Sequence, residues 1–363
     1  MKYSRRRFIT TLGASSALIM LPKVGRLTNT FIPVDKKKFG IVLVGLGNYA
    51  THQLAPALQE TSNCYLSGIV TGTPEKAERW KRQYNIPDQN IYNYENFDKI
   101  ADNKSIDVVY VVLPNSMHHE FVLRSAKAGK HVICEKPMAV SVKECEEMIA
   151  ACKNAGVRLF IGYRLHSDPF HKAAMKFRTE DVGAIKMVES EFGFKIGDPT
   201  QWRLKKALAG GGALVDLGIY AIQAARYSIG EEPVAVTAQE YKTNPVKFKE
   251  VDETITWQME FPSGAASSSI SSYASPFNRL YISAERGWFK LNPAYSYSYL
   301  KGSTNKGELN LPNINQQAAQ MDDFSKCIID GTESNADGYE GLKDIKVIEA
   351  IYKSIETGTR VKV

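Results

Sequence analysis

The sequence lacks the cysteine pattern of a disulfide-bonded protein. Its five cysteines are odd in number and include no C-x-x-C pair, so a complete disulfide framework is excluded. Two of them, Cys145 and Cys152, lie on one predicted helix and are separated by roughly 10 Å of helical rise, too far for a bridge. We interpret all five as core or neutral residues, which is typical of a protein that folds in a reducing compartment.

The sequence also lacks the patterns of a metal site and of a nucleic-acid-binding surface. The six histidines form no H-E-x-x-H motif and no closed set with the cysteines, so we predict no metal site. The formal net charge of +7 is not spread over the chain, because residues 1–38 carry +8 and the remainder carries −1. A near-neutral body offers no basic surface for a phosphate backbone, and we therefore predict no nucleic-acid partner.

The apolar run near the N-terminus, Ile9–Leu21, is too short to cross a bilayer as a stable helix, because a helical span needs roughly 20 residues. This run follows Ser4-Arg5-Arg6-Arg7-Phe8-Ile9, and the two together predict a twin-arginine signal and export to the periplasm. No clean A-x-A cleavage site follows, so an uncleaved N-terminal anchor stays open. The alternative is a disordered basic N-terminus on a cytosolic enzyme.

From Phe39 onward, short apolar strands alternate with helical segments. The helices include Pro74–Tyr84 and Ser141–Ala155, the second of which begins with the capping pattern Ser141-x-x-Glu144. This alternation predicts a parallel sheet that is covered on both faces. The predicted strands are Ile41–Val44, Tyr65–Val70, Val108–Leu113, His131–Cys134 and Arg158–Ile161.

After Tyr163 the pattern changes, and from Ala235 strand follows strand with little helix between. Alternation such as Ser269-Ile270-Ser271 predicts a largely antiparallel open sheet with one wetter face. Two C-terminal helices, about 316–329 and 341–356, are expected to pack back on the first domain. We predict an α/β protein with an N-terminal arm (1–38), a Rossmann domain (39–162) and an α+β domain (163–363). The later strands are Ile185–Phe194, Ala235–Tyr241, Thr254–Phe261, Ala265–Tyr273, Leu280–Ala284 and Trp288–Leu291.

A glycine motif follows the first strand and opens a helix: Gly45-Leu46-Gly47-Asn48-Tyr49-Ala50. Gly45 permits the tight turn, Gly47 lets the backbone approach a pyrophosphate, and Ala50 replaces the third glycine where strand and helix pack closely. In this strand–turn–helix context the motif predicts dinucleotide binding.

The end of the second strand distinguishes the two nicotinamide dinucleotides. An NAD site usually places Asp or Glu at the end of this strand. Here the strand end reads Val70-Thr71-Gly72-Thr73 and has no carboxylate. The hydroxyl of Thr71 or Thr73 and the ammonium of Lys76 would instead hold a 2′-phosphate, so NADP is favoured over NAD. The alternative is an ordinary turn with a solvated lysine.

Polar residues follow the next two strands, Pro114, Asn115 and His118 after one and Glu135 and Lys136 after the other. Ligands of an open parallel sheet bind at the carboxyl ends of its strands, so both clusters point to one crevice. Glu135 and Lys136 directly follow a buried strand, where an unpaired charge is costly. A structural ion pair is the alternative to an active site.

A third cluster lies in the second domain, where a glycine-rich loop enters an apolar helix. Asp216 and Tyr220 are four positions apart on it and share a face, with Cβ atoms roughly 5–6 Å apart. A carboxylate and a phenol on an apolar face favour a functional site. A buried, hydrogen-bonded tyrosine is the alternative.

The glycine motif, Glu135-Lys136-Pro137 and the Asp216-x-x-x-Tyr220 helix together resemble the Gfo/Idh/MocA oxidoreductase family, and within it the exported members that hold NADP tightly. The likeness runs from about Phe39 to the C-terminus. One departure is the arm Pro22–Lys38, which is short and lysine-rich for wrapping a cofactor. The matching blocks are Val44–Ala50, Leu113–Ser116, Gly129–Pro137, Gly162–Arg164, Gln201–Leu204 and Ile229–Pro233.

The resemblance implies roles for the matching residues. Tyr220 is expected to act as the general base on a sugar hydroxyl, Lys136 to favour its phenolate by positive charge, and Asp216 to orient the sugar. The Lys136–Pro137 bond is expected to be cis. Asn115 and Glu135 would flank the nicotinamide ribose, while the pocket wall and cofactor clamp would be Arg164, Trp202 and Arg203.

The implied activity is hydride transfer from an aldose C1 to tightly bound NADP and then to a second carbonyl compound. Two alternatives stay open: NAD-dependent cleavage of glycosides through transient oxidation, and a non-catalytic sugar or cofactor sensor on the same scaffold. The resemblance also implies a homodimer or homotetramer that pairs through the antiparallel sheet. No integral membrane span is expected apart from an uncleaved signal anchor.

Overall fold

A computed structural model describes residues 38–363. The predicted export signal and almost all of the N-terminal arm lie outside the described residues.

The first sheet has six strands, all parallel, in the order β3-β2-β1-β4-β5-β6. Every residue of the central strands β1 and β4 is buried, because helices cover both faces. The parallel sheet is therefore confirmed. Its strands are β1 (Phe39–Val44), β2 (Cys64–Val70), β3 (Ile91–Tyr92), β4 (Val108–Val111), β5 (His131–Cys134) and β6 (Leu159–Ile161).

The helices of this half match the sequence signals closely. A π-helical turn, Ala50–Leu54, runs into α1 (Ala55–Ala57) after the glycine motif. The Ser141 side chain caps its helix by accepting a hydrogen bond from the Glu144 N–H at 3.3 Å, as the capping pattern predicts. The other helices are α2 (Pro74–Tyr84), α3 (His118–Lys127) and α4 (Val142–Asn154).

The second sheet has nine strands in the order β14-β13-β12-β11-β7-β10-β9-β8-β15. Its pairs are antiparallel except for β7 with β10. A parallel pair requires a long crossover, and the helical stretch between β7 and β8 supplies part of it. The strands are β7 (Ile185–Gly193), β8 (Ala235–Tyr241), β9 (Thr254–Glu260), β10 (Ala266–Ser272), β11 (Phe277–Ala284), β12 (Gly287–Leu291), β13 (Gly302–Thr304), β14 (Gly307–Glu308) and β15 (Val361–Lys362).

Five more helices complete this half. Within residues 38–363, Lys206–Ile229 is the helical stretch long and apolar enough to cross a membrane, but 78 % of its most apolar window is buried inside the protein. That burial is typical of a core helix. The helices are α5 (Pro169–Phe177), α6 (Lys206–Ala209), α7 (Ile219–Ile229), α8 (Gln316–Asp330) and α9 (Gly338–Thr357).

In β10 three serines face the interior and the one isoleucine faces outward, which is the reverse of a simple amphipathic strand. Ser267, Ser269 and Ser271 are buried, whereas Ile270 is partly exposed on the open face. The serines face the turn before α7, where a Cβ on Gly218 would lie 3.1 Å from Ser271 Oγ. Small side chains are needed there because helix and sheet approach closely. On the neighbouring strands, Glu191, Gln258 and Arg279 lie on the opposite face, which is the wetter face that the alternation predicts.

The C-terminal helices contact both halves of the chain. Asp322 on α8 accepts hydrogen bonds from the N–H groups of Ser62 and Asn63, just before β2. Asp344 on α9 accepts a hydrogen bond from Gln223 on α7 at 2.8 Å. The change from one sheet to the other falls between the end of β6 and the start of β7, and the domain limits inside that interval stay a prediction.

Candidate active site

A cleft of about 1100 Å³ opens at the carboxyl ends of β1, β2, β4 and β5 and faces the second sheet. This volume exceeds the roughly 300–1,000 Å³ of typical small-molecule sites and leaves room for a dinucleotide beside a second small ligand. All but one of the sequence-predicted site residues line it. They are Gly45, Leu46, Gly47, Asn48, Tyr49, Thr71, Lys76, Pro114, Asn115, Glu135, Lys136, Arg164, Trp202, Arg203, Asp216 and Tyr220.

The glycine turn has the shape that a pyrophosphate needs. Gly45 has φ +94°, and a Cβ there would lie 2.6 Å from the Val112 carbonyl oxygen, so only glycine fits. A Cβ on Gly47 would meet no atom within 4 Å, which leaves its backbone open to a phosphate. Ala50 is fully buried where the helix packs on the sheet. These features fit a dinucleotide.

Residues at the end of β2 line the same cleft. Thr71 is buried, and its hydroxyl accepts a hydrogen bond from the Thr73 N–H at 3.2 Å. The Lys76 ammonium donates to the Leu46 carbonyl oxygen at 3.2 Å, so its charge lies against the glycine turn. Among the described residues that line the cleft, the acidic ones are Glu135 and Asp216, and neither belongs to this strand end.

Asp216 joins the two halves of the site. It lies in a π-helical turn, Leu214–Gly218, that leads into α7. The Lys136 ammonium donates to the Asp216 carboxylate at 2.8 Å and to its carbonyl oxygen at 2.6 Å. The second carboxylate oxygen accepts hydrogen bonds from Arg203 Nε at 3.1 Å and from the Tyr273 hydroxyl at 2.9 Å.

The contacts between Lys136 and Asp216 keep both groups charged. Burial is the largest single effect and would lower the pKa of Lys136, but the Asp216 carboxylate and the Tyr220 hydroxyl together raise it. Burial alone would raise the pKa of Asp216, but the cations of Lys136 and Arg203 hold it well below its usual range. Lys136 is thus in an ion pair, and its partner comes from the other half of the chain rather than from Glu135.

Tyr220 lies beneath two cations. The Lys136 ammonium is 5.0 Å from the centroid of its ring, and the Arg164 guanidinium carbon is 5.1 Å away. Tyr220 lies about one helical turn after Asp216, and both residues line the cleft. An ammonium and a phenol from separate halves therefore meet in one cavity, as the resemblance implies.

Glu135 is a buried carboxyl in the cleft wall. Burial raises the pKa of Glu135 to about 7, although the Tyr110 hydroxyl and the charge of Lys136 oppose the shift. The Tyr110 hydroxyl donates to Glu135 at 2.6 Å and accepts a hydrogen bond from Gln320 at 2.9 Å. A carboxyl in this setting changes its protonation near neutral pH.

Two family models match adjoining parts of the chain. The model described as an oxidoreductase family with an NAD-binding Rossmann fold matches residues 39–163, and that of the GFO/IDH/MocA C-terminal domain matches residues 170–290. The chain belongs to the Gfo/Idh/MocA oxidoreductase family. Both the resemblance and the two-part α/β fold are thereby confirmed.

Individual relatives cover almost the whole chain. D-xylose 1-dehydrogenase [NADP(+)] of Haloarcula marismortui is 29 % identical over 333 residues, which is 88 % of this chain and 92 % of the relative. The crystal structure of an aldose–aldose oxidoreductase from Caulobacter crescentus complexed with glycerol is 45 % identical, with a TM-score of 0.88, and the match covers 90 % of this chain and 100 % of that one. A levoglucosan dehydrogenase structure, 22 % identical with a TM-score of 0.77, shares the fold.

One residue that we predicted to contact the cofactor, His118, lies outside the cleft. His118 is fully buried and does not line the cleft. Its ring nitrogens lie 2.9 Å from the carbonyl oxygens of Pro137 and Leu113, so the ring ties together the two loops that follow β4 and β5. We correct its predicted role from cofactor contact to loop support. The Lys136–Pro137 bond is cis, as the resemblance implies.

Arg164 and Asn115 line the cleft and also bind backbone carbonyl oxygens of the second half. The Arg164 guanidinium donates to the carbonyl oxygens of Tyr295 at 2.5 Å and Ser296 at 3.2 Å. The Asn115 amide donates to the Ala209 carbonyl oxygen at 2.8 Å. Both residues thus hold loops of the second half against the first.

Sequence reasoning missed an aromatic wall that the second sheet contributes. Phe192, Phe194, Tyr295 and Tyr297 line the cleft, and Tyr273 supports Asp216 from behind it. The alternating tyrosines of residues 294–299 were a signal for the loop after β12. Tyr273 gave no such signal, because its contact with Asp216 depends on how β10 packs against α7.

Metal-ligating residues do not cluster in the part of the chain that the structure describes. The five cysteines are free, and four of them are buried. That no metal takes part stays a prediction from the sequence.

Proposed function

We propose that this protein is an NADP-dependent sugar oxidoreductase that acts on the C1 hydroxyl of an aldose and on a second carbonyl compound. The meeting of Lys136, Asp216 and Tyr220 beside a dinucleotide-shaped turn carries the proposal. The names of two relatives, a D-xylose 1-dehydrogenase [NADP(+)] and an aldose–aldose oxidoreductase, support it.

The residues have distinct tasks in this reaction. Oxidation of an aldose at C1 removes a hydride from carbon and a proton from oxygen, which leaves a lactone. When bound, the nicotinamide supplies hydride acceptance and donation. Tyr220 takes the proton from the sugar oxygen, and the Lys136 charge beside its ring stabilises the resulting phenolate. Asp216 holds Lys136 in place and offers its carboxylate to a neighbouring sugar hydroxyl.

The second half of the reaction reverses these transfers. The carbonyl carbon of the acceptor receives the hydride, and its oxygen receives the proton from Tyr220, which gives an alcohol. If the dinucleotide stays bound, aldose oxidation and acceptor reduction must alternate in a ping-pong pattern.

NADP fits the strand end better than NAD does. Lys76 offers a cation beside the glycine turn, and Thr71 and Thr73 offer hydroxyls, whereas no carboxylate is placed there to bond a ribose 2′-hydroxyl. We therefore propose NADP as the resident cofactor.

We also propose export to the periplasm by the twin-arginine route, on the signal Ser4–Ile9. That route carries folded proteins, so the dinucleotide is loaded before export. Cell fractionation tests this point: the wild-type chain is expected in the periplasm, and a variant with Arg5 and Arg6 changed to Lys in the cytoplasm. Equal distribution of the two would contradict it.

The reaction is tested on purified protein without added cofactor. Adding aldose is expected to raise the absorbance band of reduced nicotinamide, and adding a second aldose or ketose afterwards is expected to abolish it. Tyr220→Phe is expected to keep its bound dinucleotide and to lose roughly 10²–10⁴-fold in rate. No change in absorbance with a dinucleotide present would count against the proposal.

The same preparation separates the alternatives. Release of free sugar from an aryl glycoside would support NAD-dependent glycoside cleavage instead. Binding of sugar and dinucleotide without any hydride transfer would support a sensor. The ion pair between Lys136 and Asp216 inside the cleft favours the oxidoreductase over the sensor.

A further inference from the structure

Two tyrosines meet across the cleft from its opposite walls. Tyr49 belongs to the glycine turn of the first half, and Tyr297 belongs to the loop that follows β12 in the second half. Their ring centroids are 6.0 Å apart and their planes are inclined by 33°. Both residues line the cleft that we assign to the dinucleotide and the sugar. The walls of this cleft are therefore joined by a direct side-chain contact.

Arg164 supports this contact from below. Its guanidinium carbon is 4.5 Å from the centroid of the Tyr297 ring, within the range of a cation–π interaction. We call Tyr49, Arg164 and Tyr297 the aromatic bridge. Because Arg164 directly follows β6 and its turn, the bridge connects three separate segments of the chain.

The backbone that carries Tyr297 is fixed before any ligand arrives. Arg164 binds two carbonyl oxygens of the loop, those of Tyr295 and Ser296. The Asn278 side-chain oxygen accepts hydrogen bonds from the N–H groups of Ala294 at 2.8 Å and Tyr295 at 2.7 Å. The Tyr297 ring is thus held over the cleft by an anchored loop.

The ring of Tyr297 still presents surface to the cleft. The residue as a whole is 46 % exposed, although Arg164 and Tyr49 contact its ring. Burial raises the pKa of Tyr297 to about 12, so it is a neutral phenol at working pH and its contacts are those of ring packing. The next tyrosine on the loop, Tyr299, is 78 % exposed.

We infer that Tyr297 is a retention residue, which closes the cleft over the bound dinucleotide and slows its release. The inference rests on the proposed function, because it takes the cleft to hold NADP. On this inference, a dinucleotide that leaves the glycine turn passes between Tyr49 and Tyr297, so the two walls must part. Parting them breaks the ring contact and moves Tyr297 away from Arg164, which adds to the barrier for release.

The test measures how fast the reduced dinucleotide leaves. The protein is loaded with NADPH, excess NADP⁺ is added, and the decay of nicotinamide fluorescence gives the release rate. Tyr297→Ala is expected to release the dinucleotide about tenfold faster than wild type, a factor that corresponds to about 1.4 kcal/mol. Tyr297→Phe keeps the ring and is expected to stay within about twofold of wild type.

Tyr299→Ala is the matched control, since it removes the same side chain from the same loop at an exposed position. Its release rate is expected to equal that of wild type. Equal release from Tyr297→Ala and wild type would overturn the inference and leave the proposed function intact, as would a change confined to the KM for aldose. Failure of the wild-type protein to bind NADPH at all would overturn the proposed function and the inference together.

Discussion

Asp216 is the residue on which the charges of the cleft converge. Its carboxylate is shared by Lys136, Arg203 and Tyr273, and its backbone carbonyl binds Lys136 as well. Removing one partner of such a buried pair costs about 3–5 kcal/mol, because it leaves the other charge uncompensated. A loss of activity in an Asp216 variant would therefore combine lost chemistry with lost stability.

A Glu135 variant tests stability more directly, because it leaves the ion pair between Lys136 and Asp216 in place. The pKa of Glu135 is raised by burial from 4.5 to about 7. Between these values the folded chain keeps the proton that the unfolded chain has lost, so the free energy of unfolding falls as pH rises from about 4.5 through about 7. Glu135→Gln removes this dependence and is expected to exceed wild type in stability at pH 8 by up to about 3 kcal/mol.

Urea unfolding of both proteins between pH 5 and 8 checks the expectation. The stability difference between Glu135→Gln and wild type should be smallest at pH 5 and should grow toward pH 8. Glu60→Gln, which changes an exposed carboxylate, is the control, and its difference from wild type should vary less with pH than that of Glu135→Gln. A pH-independent difference for Glu135→Gln would contradict the prediction.

Lys76 is the side chain that we expect to make the protein bind NADP more tightly than NAD. Replacing it with methionine is expected to weaken NADP binding by roughly ten- to hundredfold, because a charge-assisted bond to the 2′-phosphate is lost. NAD binding should change by less than about twofold. Fluorescence titration with each dinucleotide measures both. Lys81→Met on the same helix, whose ammonium pairs with Asp88, is the control, and equal losses for NADP and NAD would refute the assignment.

Among the elements, the segment from Gly212 through α7 matters most, because it carries both Asp216 and Tyr220. The Asp252 carboxylate, just before β9, holds its start by accepting hydrogen bonds from the N–H groups of Gly212 at 2.7 Å and Leu214 at 2.8 Å. A Cβ on Gly212 would lie 2.1 Å from the Asp252 carbonyl oxygen, so the approach requires glycine.

Asp252→Ala is expected to lower stability by about 1–3 kcal/mol for each buried N–H left without a partner. It should also lower kcat by up to about 10²-fold, because a shift of about 1 Å in this segment misplaces Tyr220. Urea unfolding and aldose-dependent reduction rates measure the two effects. Lys249→Ala, at an exposed position three residues earlier, should leave both unchanged; unchanged values for Asp252→Ala would disprove the role.

Elements were predictable where their signals are local and long enough. The strands of the first sheet other than β3 showed apolar runs, several strands of the second sheet showed alternation, and Ser141 marked the start of α4. Strands β3, β13, β14 and β15 have two or three residues, too few to show a periodicity. The parallel pairing of β7 with β10 was not predictable either, because pairing is decided by the packing of distant segments.

Within residues 38–363, one face of the second sheet carries partly exposed apolar side chains. Ile270, Tyr281 and Trp288 are partly exposed on it, and the last two rings stack with centroids 6.1 Å apart. The same face carries Glu189, Glu191 and Arg279 beside these apolar groups, and a face that mixes aromatic residues with arginine is typical of an interface between chains. We expect a homodimer or homotetramer that uses this face.

Native mass spectrometry tests the expectation and identifies the retained dinucleotide in the same spectrum. Ile270→Arg is expected to shift the assembly toward monomer, because it places a charge in the centre of the face. Tyr339→Arg changes an exposed aromatic residue at the start of α9 and should leave the assembly intact. A wild-type monomer, or an unchanged assembly in Ile270→Arg, would contradict the assignment.

The sequence by itself determined the features that depend on near neighbours along the chain: the order of strands and helices, the glycine turn at Gly45 and Gly47, and the strand ends that carry Thr71, Glu135 and Lys136. These features follow from the backbone freedom, periodicity and capping of short segments. Only the tertiary structure decided which distant side chains meet. Lys136 and Asp216 are 80 positions apart, and Tyr273 lies 57 beyond Asp216. Their contacts exist because the second sheet and its helices face the carboxyl ends of the first sheet across the cleft. No local pattern encodes that packing.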